Sequence, residues 1–199
     1  MLIHFRHDDQ QKSRGIYMIA KIKRAGLQVL LASLMLVAAC TAPGLQNAFA
    51  SGPTIFLVRH AEKEAGVDPL LTAEGEARAA RLGEIMDELG VDAVWSSDTR
   101  RTRATAAPAA DAEGLEVQIY DLDAMEEFAD TLRNSSGTIL VLGHSNTTPV
   151  LAAMLTGRDE GPWFDEADYE SLFRIEINRR GEPLSFQMSY DALERYAFD

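Results

Sequence analysis

Two runs of the chain are apolar over the length of a strand and stop at a polar ring. Residues 54–58 (TIFLV) lead into Arg59-His60, and residues 138–143 (TILVLG) lead into His144. Unbroken aliphatic and β-branched runs of this length are the pattern of parallel strands buried on both faces. Between and after them the period changes. Leu82, Ile85, Met86 and Leu89 recur at helical spacing behind Thr72 in an N-cap position, with Glu74 and Glu76 in the first turn and Gly90 as terminator. DAVWSS (92–97) predicts a second strand, and DTRRTRATAAPAA a helix opening after Ser97 or Asp98. LEVQIY (115–120) predicts a third strand. Leu122, Met125, Phe128 and Leu132 mark a helix that stops at NSSG, and residues 147–156 a helix closed by Gly157.

That β-α alternation predicts an α/β fold: a single-domain three-layer sandwich, its sheet mostly parallel with helices on both faces. The end of the chain reads differently. Phe173, Ile175 and Ile177 alternate with polar residues, as do Leu184, Phe186, Met188 and Tyr190, with NRRGEP between. This predicts a C-terminal antiparallel hairpin covering or extending one sheet edge.

The first fifty residues follow neither pattern. An apolar run of 13, residues 27–39, is preceded by Lys21, Lys23 and Arg24. This is the layout of a secretory signal, too short for a comfortable membrane span. The natural start of such a signal is Met18, which leaves residues 1–17 as an extension. Two processing sites compete: VAAC (37–40), a lipobox-like sequence in which Cys40 would carry a lipid anchor, and AFA (48–50), with cleavage after Ala50. Residues 1–50 are therefore expected to be leader and linker, residues 51–199 the folded domain, and the protein exported: periplasmic, with membrane anchoring if Cys40 is lipidated.

Charge narrows the partners. Of the 199 residues, those from Ser51 onward hold 13 Lys and Arg against 29 Asp and Glu, a net of −16. So acidic a domain repels nucleic acid and anionic membrane surfaces. Cys40 is the chain's one cysteine, so the domain has no disulfide and no thiolate metal site.

Functional groups of open α/β sheets gather beyond the carboxyl ends of the strands. His60 and His144, the two histidines of the domain, each follow a buried strand and are expected to face one crevice. Arg100, Arg101 and Arg103 crowd a helix start, where cations oppose the macrodipole unless an anion is bound there. A His-carboxylate metalloenzyme is disfavoured by having two histidines and no HExxH.

LVRHAEK (57–63), SSDTRRTRATA (96–106) and VLGHSNTTP (141–149), in that order, resemble the signatures of the histidine phosphatase superfamily, also called phosphoglycerate-mutase-like. The likeness runs from about Thr54 to the end. With no large insertion between 106 and 138, the chain is similar to the short members, such as phosphohistidine phosphatases and small exported relatives. The resemblance implies an acid-type histidine phosphatase acting on a phosphomonoester or phosphoramidate of a small molecule or a phosphoprotein. His60 would be the nucleophile, Arg59 and Arg101 would bind phosphate with His144 beside them, and neither metal nor cofactor would be needed. Arg100 is the alternative to Arg101, about 100° away around the helix, and Arg103 is expected at solvent or on a carboxylate.

The general acid stays open among Glu126, Glu127, Asp68 or none. The acidic, aromatic segment 157–171 either covers the crevice or packs its rings on the domain. Ser145 and Asn146 are expected to support phosphate binding. The rival functions are a phosphomutase and a catalytically silent envelope lipoprotein that uses the fold to bind.

Overall fold

The computed structural model describes residues 52–199. The expectations about the 27–39 run, Cys40 and Ala50 lie outside the described residues. Six strands form one sheet: β1 (Thr54–Arg59), β2 (Ala93–Ser97), β3 (Val117–Tyr120), β4 (Thr138–Gly143), β5 (Ser171–Ile177) and β6 (Pro183–Ser189). Their order is β3-β2-β4-β1-β5-β6. The first four are parallel to their neighbours, while β5 runs antiparallel to β1 and β6 to β5. The hairpin thus extends the sheet edge.

The helices are α1 (Ala73–Leu89), α2 (Arg100–Glu113), α3 (Met125–Arg133), α4 (Thr147–Thr156) and α5 (Tyr190–Phe198). Alternate residues of β1 feed two separate cores. Ile55 and Leu57 pack with Phe128 and Leu132 of α3 and Leu151 and Leu155 of α4. Phe56 and Val58 pack with Leu82, Ile85 and Met86 of α1, Ala106 and Ala109 of α2 and Leu193 of α5. An apolar run without alternation is what a strand covered on both faces needs.

Element ends differ from the sequence pattern where a cap intervenes. Leu115 lies outside β3 and closes the C-terminal cap of α2: Gly114 turns left-handed (φ 66°) and the Leu115 N–H donates to the Ala110 carbonyl at 2.8 Å. Thr99 caps α2, its hydroxyl accepting from the Thr102 N–H. Residues Leu122–Ala124 form a 3-10 turn ahead of α3, capped by the Asp121 side chain. Tyr190, read as the last inward position of a strand, opens α5 behind the Ser189 cap. Burial alone does not separate the two readings, since Tyr190 is fully buried either way.

Candidate active site

Register brings the two histidines together. Arg59 of β1 is paired with Gly143 of the adjacent parallel strand β4, so His60 and His144 are the next pair along. The His60 N–H donates to the Gly143 carbonyl at 3.0 Å, continuing the ladder one step past the strand. The imidazole centroids lie 5.5 Å apart, edge to face, close to the spacing of neighbouring strands. A one-residue slip would send the rings to opposite faces.

The segment after His60 is held from three sides. The Ala61 N–H donates to Thr105 Oγ1 (3.0 Å), and that hydroxyl donates to the Arg101 carbonyl (2.8 Å). Thr105 therefore ties the segment after β1 to the first turn of α2, a role that its place in the second motif did not reveal. The Glu62 carbonyl accepts from Thr72 N, and a Cβ on Gly75 would sit 2.1 Å from that same carbonyl oxygen. The Glu62 carboxylate is gripped by Arg78 Nε and Nη2 (2.7–3.0 Å), and Arg78 Nη1 reaches Glu170.

His60 Nδ1 lies 2.8 Å from the Ala61 carbonyl. A carbonyl only accepts, so Nδ1 carries the proton and Nε2 keeps its lone pair. Burial, then the charges of Arg59 and Arg101, push His60 down to about 3. Burial followed by Arg101 and Arg59 pushes His144 down to about 4. Both rings are neutral at pH 7. The charges of both guanidinium groups bear on both rings.

Arg59 does not present its terminal nitrogens freely. Nη1 donates to the carbonyls of Asp165 (2.8 Å) and Asp168 (2.7 Å), and Nη2 to that of Glu166 (3.1 Å). The Tyr169 ring covers the guanidinium at 4.2 Å and lies 6.1 Å from the His60 ring. Arg59 Nε is buried and without a partner, as are Arg101 Nε and His144 Nε2. Buried polar atoms are normally satisfied, so these three nitrogens have unmet hydrogen-bonding capacity.

Arg100 is exposed, and Arg103 pairs with Asp98 at 3.1 Å. Of the three, Arg101 is the half-buried one, and its charge bears on both rings. Glu126 and Glu127 are exposed on α3. Asp68 lies against the pocket, its carboxylate 3.5 Å from Arg101 Nη1 and accepting from the Arg100 N–H at 2.9 Å. Its φ of 44° is left-handed, a conformation that Asp tolerates better than most residues.

Segment 157–171 does both things expected of it. Phe164 packs into the core, Tyr169 covers Arg59, and Trp163 stays exposed. Ser145 accepts from Phe164 N through its carbonyl and donates to Glu166 Oε1 (3.2 Å). Asn146 sits at the N-cap of α4 without a side-chain capping bond. Glu166 was not among the sequence candidates, yet its other oxygen is 3.5 Å from Arg59 Nη2. Nothing local marks Glu166, because its partner is 107 residues away.

The model of the histidine phosphatase superfamily (branch 1) matches residues 55–129. No curated protein sequence matches the chain. Among solved structures, the protein histidine phosphatase SixA complexed with tungstate is similar at 19% identity and TM-score 0.57, covering 70% of this chain and 99% of that one. A phosphoserine phosphatase from Entamoeba histolytica in complex with 3-phosphoglyceric acid aligns at 15% identity and TM-score 0.54, covering 69% and 96%. A mycobacterial glucosyl-3-phosphoglycerate phosphatase aligns at 14% and 0.51, covering 65% and 92%. At these identities the likeness is one of fold.

Proposed function

We propose that the chain, whose residues 55–129 match the histidine phosphatase superfamily (branch 1), is a member of that superfamily and a metal-independent phosphatase working through a phosphohistidine on His60. The observation that carries this reading is the neutral His60 imidazole, its Nδ1 proton committed to Ala61, amid three buried nitrogens that lack partners.

The phosphoryl group of a monoester or phosphoramidate enters with its oxygens toward Arg59 Nε, Arg101 and His144. His60 Nε2 attacks phosphorus in line, the bond to the leaving group breaks, and the leaving group takes its proton from solvent. Water then attacks the phosphohistidine, releasing inorganic phosphate and restoring the neutral ring. Charge on the equatorial oxygens of a loose transition state is met by fixed guanidinium groups that need no reorganisation. Nearby positive charge also keeps His60 unprotonated and hence nucleophilic.

Of the three proton-donor candidates, Asp68 has the contact with a pocket residue that Glu126 and Glu127 lack. A phosphoramidate or acyl phosphate, whose leaving group is good, needs no such donor. Export, with Cys40 lipidation or cleavage after Ala50, is part of the same proposal and rests on the composition of the leader.

The test is hydrolysis of p-nitrophenyl phosphate in EDTA, its inhibition by vanadate, and acid-quench trapping of labelled phosphate on the protein. His60→Ala is expected to abolish both turnover and trapping. Activity lost to EDTA and restored by zinc, or trapping undiminished in the variant, would refute the mechanism.

A further inference from the structure

The charges that touch the phosphate pocket cancel before any substrate arrives. Arg59 and Arg101 supply two positive charges. Glu166, 3.5 Å from Arg59, and Asp68, 3.5 Å from Arg101, supply two negative ones. The next layer does not restore a surplus, since Arg78 is matched by both Glu62 and Glu170. Both histidines are neutral. A phosphate dianion held by the three unpartnered nitrogens therefore leaves its immediate surroundings net negative.

Resting on the phosphatase reading, we propose that the substrate carries its phosphate on a positively charged leaving group, and that Glu166 discriminates against substrates with a second anionic group close to phosphorus. Glu166 suits this role. Its side chain is 84% exposed, yet one carboxylate oxygen lies 3.5 Å from Arg59 Nη2 and the other accepts from Ser145 Oγ, so a solvent-facing negative charge sits against an arginine next to His60. An ammonium a few ångströms beyond the phosphate gains an attractive partner there, and a carboxylate in the same place meets repulsion. For unit charges at roughly 6 Å and an effective dielectric constant of about 40, each interaction changes affinity about tenfold.

The experiment compares kcat/KM for phosphoethanolamine and for 3-phosphoglycerate, with p-nitrophenyl phosphate as an uncharged-group reference, in the full chain and in Glu166→Gln and Glu166→Lys. The full chain is expected to favour phosphoethanolamine over 3-phosphoglycerate by about a hundredfold, the product of the two tenfold effects. That ratio should fall about a hundredfold in E166Q and further in E166K, and it should shrink with added salt. Because the readout is a ratio within one protein, a general loss of activity does not mimic it, and thermal melts check that the variants fold.

Hydrolysis of p-nitrophenyl phosphate without a charge preference, or a preference that E166Q and E166K leave unmoved, overturns the inference while the phosphatase reading stands. Failure to hydrolyse any of the three substrates overturns both.

Discussion

The two neutral imidazoles make the empty pocket an acid-labile element. An unfolded histidine takes up a proton near pH 6.5, whereas folded His60 resists until about 3 and His144 until about 4. Between these limits the unfolded chain binds more protons than the folded one, so stability falls as pH falls. At pH 5, about 1.5 units below the free histidine value, keeping the ring neutral costs ~2 kcal/mol for His60. His144 is less enclosed, and discounting for solvent screening leaves ~1 kcal/mol. The ~3 kcal/mol together is a large part of the ~5–15 kcal/mol that holds a typical domain folded.

The carboxylates held low, Glu62, Asp168 and Asp191, act at lower pH and leave the window between pH 6.5 and 5 to the histidines. Urea unfolding of the protein and of the His60→Asn/His144→Asn double variant at pH 7.5, 6 and 5 measures the effect. The wild type should lose about 3 kcal/mol between pH 7.5 and 5, and the double variant should lose almost none of it. A flat profile in the wild type, or an equal loss in both proteins, would show that the rings are not held neutral by the pocket.

Arg101→Ala should lower kcat for p-nitrophenyl phosphate by about 10²–10³, the cost of removing one preorganised donor, while Arg100→Ala stays within about threefold. The reverse ranking would place the wrong arginine in the pocket. Gly75→Ala puts a methyl group against the Glu62 carbonyl, two residues from His60. It should cost ~2–4 kcal/mol by thermal or urea unfolding, and an unchanged melting temperature would contradict the close packing. Tyr169→Ala removes the ring over Arg59 and should weaken vanadate inhibition about three- to thirtyfold, from ~0.5–2 kcal/mol of cation–π contact. Tyr169→Phe should retain most of it, and equal weakening by both would assign the effect to the hydroxyl.

Much of this architecture was written in short windows of the sequence. An unbroken apolar strand needs cover on both faces, so TIFLV and TILVLG announced a buried parallel sheet, and the residues directly after them announced its functional edge. Helix starts and stops followed where Thr72 and Gly90 supply local caps. These features depend on residues within a turn or two of each other, and physical chemistry at that range can be read from order alone. Leu115 and Tyr190 show the limit even there, because burial is compatible with either element and a cap decides.

Tertiary structure alone decided what the pocket residues do with their hydrogen bonds. Arg59 was expected to bind phosphate. Instead its terminal nitrogens go to the carbonyls of Asp165, Glu166 and Asp168, leaving Nε. Glu166, Thr105 and Arg78 join the site through partners 107, 44 and 16 residues away. Such pairings are set by which loops the packed sheet brings to one edge. A lone acid, threonine or arginine in a polar stretch has the same local pattern whether it meets solvent or the pocket.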